Sequence, residues 1–272
     1  MTWFNYTPLA PLIEKYSDDG SHDLFSVECD LQDEGLYRVA AIGDHETVQL
    51  IRVQSVNSDG NLSPRQARTV SQLVDHMISV LRFTTDQHVE KLWFGQETIS
   101  FGSHGDNNGN PKFDISISLH SPSDYQLDFK NVAAVFSRTV RDRSLFKLLG
   151  DSQHPALPLQ YRYLSLYKIL EHEFRVGKKW PNLRKALGPW DEEFRSLKVS
   201  SQLLDSFIHD LRNRCAHIRI GNSGDLGLTG LSTEDTEAVD KVIPIIMKMI
   251  RAHFSNKYPT LQFQDAPKRI KR

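Results

Sequence analysis

Between Ser200 and Ile218 the residues Leu204, Phe207, Ile208, Leu211, Cys215 and Ile218 recur at helical spacing on one face, and the other face carries Ser206, His209, Asp210, Asn213, Arg214 and His217. Asn213 and His217 are four residues apart and stack on one side, with Asp210 about a turn earlier. The chemistry open to such a set is proton transfer by imidazole near neutral pH, with a guanidinium that binds phosphate bidentately and stabilises charge on a phosphoryl oxygen. RNA brings its own nucleophile, the 2′-hydroxyl. A metal-free cleavage needs only a base for that hydroxyl, an acid for the leaving 5′-oxygen and a cation for the phosphorane. A polar face opposite an apolar stripe is also what any solvated surface helix displays, and a histidine in a last turn favours the helix dipole without catalytic duty.

The string Asp210-Leu-Arg212-Asn213-Arg214-Cys-Ala-His217 resembles the signature of the HEPN superfamily: an Arg, four to six residues, then His, commonly with Asn or another polar residue after the Arg. The upstream segment Tyr161 to Glu171, the long gap, the motif helix and a final helix are similar to that family's helical bundle over roughly residues 130 to 260. The resemblance implies a metal-independent endoribonuclease whose site forms where two protomers bring their Arg and His copies together. Such proteins occur as toxins, in CRISPR effectors and in antiviral abortive infection. A β-containing first half joined to this domain is similar to Apea-like HEPN or MauJ-like proteins. Some members have lost catalysis, so an inactive module that binds RNA, nucleotide or protein, or a metabolic accessory protein, is the alternative.

On this resemblance His217 is the general base or acid, Arg212 holds the scissile phosphate, and Asn213 orients one of them. Arg214 is a second phosphate contact and Asp210 fixes a histidine tautomer. In a regular helix Arg212 and His217 lie five residues, about 140°, apart. Either Arg212 reaches around, the helix is distorted, or a second copy completes the site; the resemblance favours the last. The partners expected are therefore RNA, a second copy of the chain through the helical domain, and a regulatory protein. No cofactor, metal or membrane is expected.

The elements that must position these residues are legible in outline. From Asp23 to Val56 alternation and β-branched patches, broken by Gly35, Gly43 and the Asn57 to Asn61 turn, predict strands and hairpins. Ser63-Pro64 followed by Val70, Leu73, Val74, Met77, Ile78 and Leu81 predicts a helix over about 64 to 83. Strands are expected around Lys91 to Phe94 and Phe113 to Leu119. From Asn131 onward helical stripes take over, one through Val132, Val135, Phe136, Val140, Leu145 and Leu148 and a second from Leu159 to Phe174. A loop through Trp180, Gly188 and Trp190 precedes the motif helix. Ser232 with Asp235 caps a last helix whose core face is Val239, Val242, Ile243, Ile246, Met247 and Ile250. The expected fold class is α+β: a mixed module over 1–126, an all-α HEPN-like bundle over 127–262 and a basic tail, 263–272.

The chain has 272 residues, 33 Lys+Arg against 34 Asp+Glu, and two cysteines, Cys29 and Cys215, which excludes a disulfide-stapled mini-fold and a zinc ribbon. No apolar run approaches a membrane span and no secretory leader pattern opens the sequence, so a soluble cytoplasmic protein is expected. Residues 1–150 carry 13 Lys+Arg and 20 Asp+Glu, a balance of −7, whereas 151–272 carry 20 and 14, a balance of +6. The basic half bears the motif. The Gly105 to Asn110 loop lacks the Lys-Ser/Thr of a P-loop and the closing Glu of a calcium loop. His172 between Glu171 and Glu173 has no second histidine four residues away to share a metal. Trp180 and Trp190 with Lys178, Lys179, Arg184 and Lys185 could stack bases and bind phosphate, or simply pack within a basic loop. Cys215, within the apolar stripe, is expected in the core.

Overall fold

The computed structural model describes residues 3–10, 22–43, 48–55, 62–85, 89–91, 93–94, 97–98, 101–104, 128–177, 179–180, 182–197, 204–216 and 233–261. The strands are β1 (Trp3–Ala10), β2 (His22–Asp30), β3 (Leu36–Gly43), β4 (Val48–Ser55), β5 (Glu90–Lys91), β6 (Trp93–Phe94), β7 (Glu97–Thr98) and β8 (Phe101–His104). The helices are α1 (Pro64–Thr85), α2 (Phe129–Thr139), α3 (Arg143–Ser152), α4 (Leu159–Phe174), α5 (Leu183–Leu187), α6 (Asp191–Ser196), α7 (Leu204–Ala216) and α8 (Thr233–Lys257). The chain is α+β, as expected. The strand expected at Phe113 to Leu119 lies outside the described residues, as do the 105–110 loop and the 263–272 tail.

Two compact units divide within α3, Met1–Lys147 and Leu148–Asp265. The first of these units includes α2 and the start of α3. The Phe129 ring lies 6.2 Å from that of Phe25 of β2, and Phe136 and Phe146 flank the ring of His76 on α1 at 4.9 and 5.5 Å. Arg143 grips both carboxylate oxygens of Glu34 at 2.7 and 2.9 Å. Helices α2 and the start of α3 are thus structural parts of the first unit.

In that unit an antiparallel sheet runs β2-β3-β4-β1-β5, with β8 also pairing β1. The β2–β3 connection needs Gly35 at φ 107°, where a side chain is strained. Helix α1 opens on a reciprocal capping box: Gln66 N–H donates to Ser63 Oγ at 3.3 Å and Ser63 N–H to Gln66 Oε1 at 2.9 Å. Phe4 and Tyr6 of β1 pack with Ile42 and Leu50 in the core.

Strand β1 was not expected, because a proline and an asparagine interrupt its apolar pattern and proline normally marks a sheet edge. Its position removes the conflict. Strand β8 pairs with Trp3 to Tyr6 and β5 with Leu9 and Ala10, so Pro8 falls in the interval between the two partners. On the other side Pro8 sits opposite Leu50 of β4.

In the second unit α4 packs on α7 and α8. Leu166, Ile169 and Leu170 of α4, Ile208 and Leu211 of α7, and Val239, Val242, Ile246 and Ile250 of α8 are buried. Met249 and Phe254 join this core, while the expected Met247 is only half-buried and its sulfur accepts from Ser152 Oγ at 3.5 Å. The segment expected as a loop around Trp180 to Trp190 contains α5 and a 3-10 turn, Gly188–Trp190, leading into α6. Leu183, Leu187 and Phe194 there are buried, an apolar set too short for its period to be read. Among the described residues no helix is long and apolar enough to cross a membrane.

Candidate functional site

Helix α7 is fixed from its buried side. Leu204, Ile208, Leu211 and Cys215 are buried, and Tyr163 of α4 donates its hydroxyl to the Ile208 carbonyl at 2.8 Å. Burial pushes the Cys215 thiol up to about 12, aided by the Asp235 carboxylate and opposed by Arg214. A thiol so held is protonated at neutral pH and belongs to the core. The ends of the expected helix, 200–203 and 217–218, lie outside the described residues, and His217 lies there too.

Two arginines two positions apart have different surroundings. Arg214 is committed: its Nη1 forms an ion pair with Asp235 Oδ1 of α8, with side chains 32% and 18% exposed. That contact draws Asp235 to α7, whereas the sequence suggested a capping role for it; Ser232 is outside the described residues. Arg212 has no carboxylate partner among the described residues. Its Nη1 donates to Asn213 Oδ1 at 3.1 Å, and its guanidinium carbon stands 5.7 Å from the centre of the Tyr167 ring, a cation–π contact. Asn213 and Asp210 are exposed, and Asp210 makes no hydrogen bond to a described residue.

The histidine engaged near Arg212 is His209. Its Nδ1 shares a 2.7 Å hydrogen bond with the hydroxyl of Tyr167, and its ring meets Trp180 edge-on at 4.7 Å. Trp180 in turn lies 5.7 Å from Tyr167. Burial and the Glu171 carboxylate raise the Tyr167 hydroxyl above its ordinary range, against the opposing pull of Arg212 and Arg175. The phenol therefore stays protonated at neutral pH. A guanidinium, an amide, an imidazole and a phenol are thus gathered on the α4–α7 surface. Tyr167 is readable only as part of an apolar stripe, and its separation of 42 positions from His209 leaves no local signal of the pair.

The two tryptophans do not share one patch. Trp180 joins His209, whereas Trp190 and Lys185 line a separate cleft with Glu173 and His253. Lys178 lies outside the described residues. Glu173, 8% exposed, accepts from His253 Nε2 at 2.7 Å, His172 Nδ1 at 3.0 Å and Lys257 Nζ at 3.1 Å. Burial alone would raise its carboxyl, but these donors, His253 first, outweigh burial and hold it at about 2. Because the folded value lies below the ordinary 4.5, the stabilisation is present above pH 4.5 and is lost as pH falls toward 2. Glu173→Gln is expected to lower stability at neutral pH by about 1–2 kcal/mol after screening by water, and to flatten that acid limb. Urea denaturation of both proteins across the limb checks this, and parallel acid limbs would refute it. Among the described residues no group of three or more His, Cys, Asp or Glu could hold a metal ion.

Compared with known proteins, the chain matches no family model, no curated protein and no solved structure.

Proposed function

We propose that the helical unit is a metal-independent endoribonuclease of the HEPN type, working as a homodimer in toxin or antiviral defence. The observation that carries this reading is the state of Arg212. Among the described residues it is a guanidinium oriented by an amide and an aromatic face rather than paired with a carboxylate, which suits it to take a phosphate. Arg212 binds the scissile phosphate, Asn213 fixes the guanidinium, and His217, brought by the same or the second copy, transfers the proton. The RNA 2′-oxygen attacks phosphorus as its proton passes to a base, and the P–O5′ bond breaks as an acid protonates the departing oxygen. The products are a 2′,3′-cyclic phosphate and a 5′-hydroxyl.

The purified chain is expected to cut RNA in EDTA, leaving those ends, and His217→Ala to lose at least 100-fold, the low end of what general acid–base groups supply. Mass analysis of fragment ends is the readout. Cleavage that needs added metal, or that His217→Ala leaves intact, would rule the mechanism out. RNA binding without cleavage would instead mark an inactive binding module, and neither activity an accessory protein.

A further inference from the structure

A cleft of about 450 Å³ opens between the end of α4, the α5 segment with the turn after it, and the last turns of α8. Its volume is that of a small-molecule site, and its chemistry can be read side chain by side chain. The floor is apolar, made by Phe174 and Met249, which are 5% and 2% exposed. Small residues at Ala186 and Ala252 leave the space open, and the indole of Trp190 forms part of the wall. A flat apolar body fits such a floor and wall by burial and ring contact.

The polar groups select charge. Glu173 is the cleft's acid, and His172, His253 and Lys257 already occupy its carboxylate, so it offers no free negative charge to a cation. Lys185 is exposed and forms no ion pair or hydrogen bond among the described residues, and the same holds for the side-chain amides of Asn182 and Asn256. One unneutralised ammonium and two unused amides beside an apolar floor suit one compact anionic head on a flat body. They do not suit a polyphosphate, which needs several cations.

We infer that this cleft is a binding site for a small aromatic monocarboxylate, with the ring between Trp190 and the Phe174–Met249 floor and the carboxylate on Lys185 and the amides. This stands independently of the ribonuclease reading. The test is calorimetric titration of the full chain with 3-phenylpropionate, and with 3-phenylpropanamide and 3-phenylpropylamine as neutral and cationic counterparts. The carboxylate should bind saturably and most tightly. Lys185→Met, at an exposed position, should weaken it about tenfold, the value of one charge-assisted hydrogen bond, without changing the amide. Ala252→Trp should fill the cleft and abolish binding while the circular dichroism spectrum stays that of the wild type. The inference is overturned if 3-phenylpropionate does not bind saturably, if the amide or amine binds as well, or if Lys185→Met binds unchanged. Lys185→Met alone decides the matter should Ala252→Trp not fold.

Discussion

Acidification through the range from pH 6.5 to about 4 is expected to cost the first unit about 3 kcal/mol, and His76→Phe to remove that dependence. His76 is fully buried between the rings of Phe136 and Phe146. Its Nε2 contacts the Phe136 carbonyl at 3.3 Å and Thr139 Oγ1 at 3.2 Å. The Thr139 hydroxyl donates its own hydrogen to the Val135 carbonyl at 2.6 Å, so both neighbours of Nε2 are acceptors and the ring hydrogen sits there. Nδ1 is buried and has no hydrogen-bond partner among the described residues. A proton arriving at Nδ1 would place a charge in an apolar site. Burial therefore holds the imidazole at about 4, with Arg143 also lowering it against the Phe136 carbonyl and Asp142. Since the unfolded chain takes up its proton near 6.5, stability is complete above that pH, falls as pH drops toward 4, and is not lost further below it through this group. This window lies above the one set by Glu173, so acid should weaken the first unit before the second. Amide hydrogen exchange of β3 and α1 reports the first unit separately, and an equal pH slope in wild type and His76→Phe would refute the assignment.

None of this was visible in the sequence, where His76 stands off the apolar stripe of α1, between Gln72 and Ser79 at helical spacing. The Phe136 carbonyl that it meets is 60 residues away. What the sequence displayed was local: the Ser63-Pro64 start of α1, the alternation of β2 to β4, the stripes of α4, α7 and α8. Where tertiary pairing overrides local rules, the local pattern carries no signal. Pro8 hid β1 because the gap between β5 and β8 cannot be known before the sheet is built. The stripe from Val132 to Leu148 spans two helices joined by a 3-10 turn, Val140–Asp142, and Phe146 and Leu149 take the core in place of Leu148. At the site, Arg212 and Arg214 carry the same charge on one short segment. Only the position of Asp235 on another helix tells them apart.

That difference sets opposite outcomes for the two substitutions. Arg212→Ala is expected to lower RNA cleavage by about 10²–10³-fold, the usual cost of removing one preorganised donor from the charge that develops on phosphorus, with stability changed by less than about 0.5 kcal/mol. Arg212→Lys keeps the charge but loses the planar fork that Asn213 and Tyr167 orient, so it should recover only part of the rate. Arg214→Ala should do the reverse. It removes a tie between α7 and α8, costing about 1–2 kcal/mol of stability for a pair that water partly screens. Its cleavage rate per folded molecule should stay within a few-fold of wild type. Cleavage assayed well below each variant's melting temperature, beside urea denaturation, separates the cases. Loss of cleavage in Arg214→Ala at full folding, with Arg212→Ala active, would reassign the phosphate contact to Arg214. It would also mean that Arg214 meets the phosphate through donors other than the Nη1 that holds Asp235.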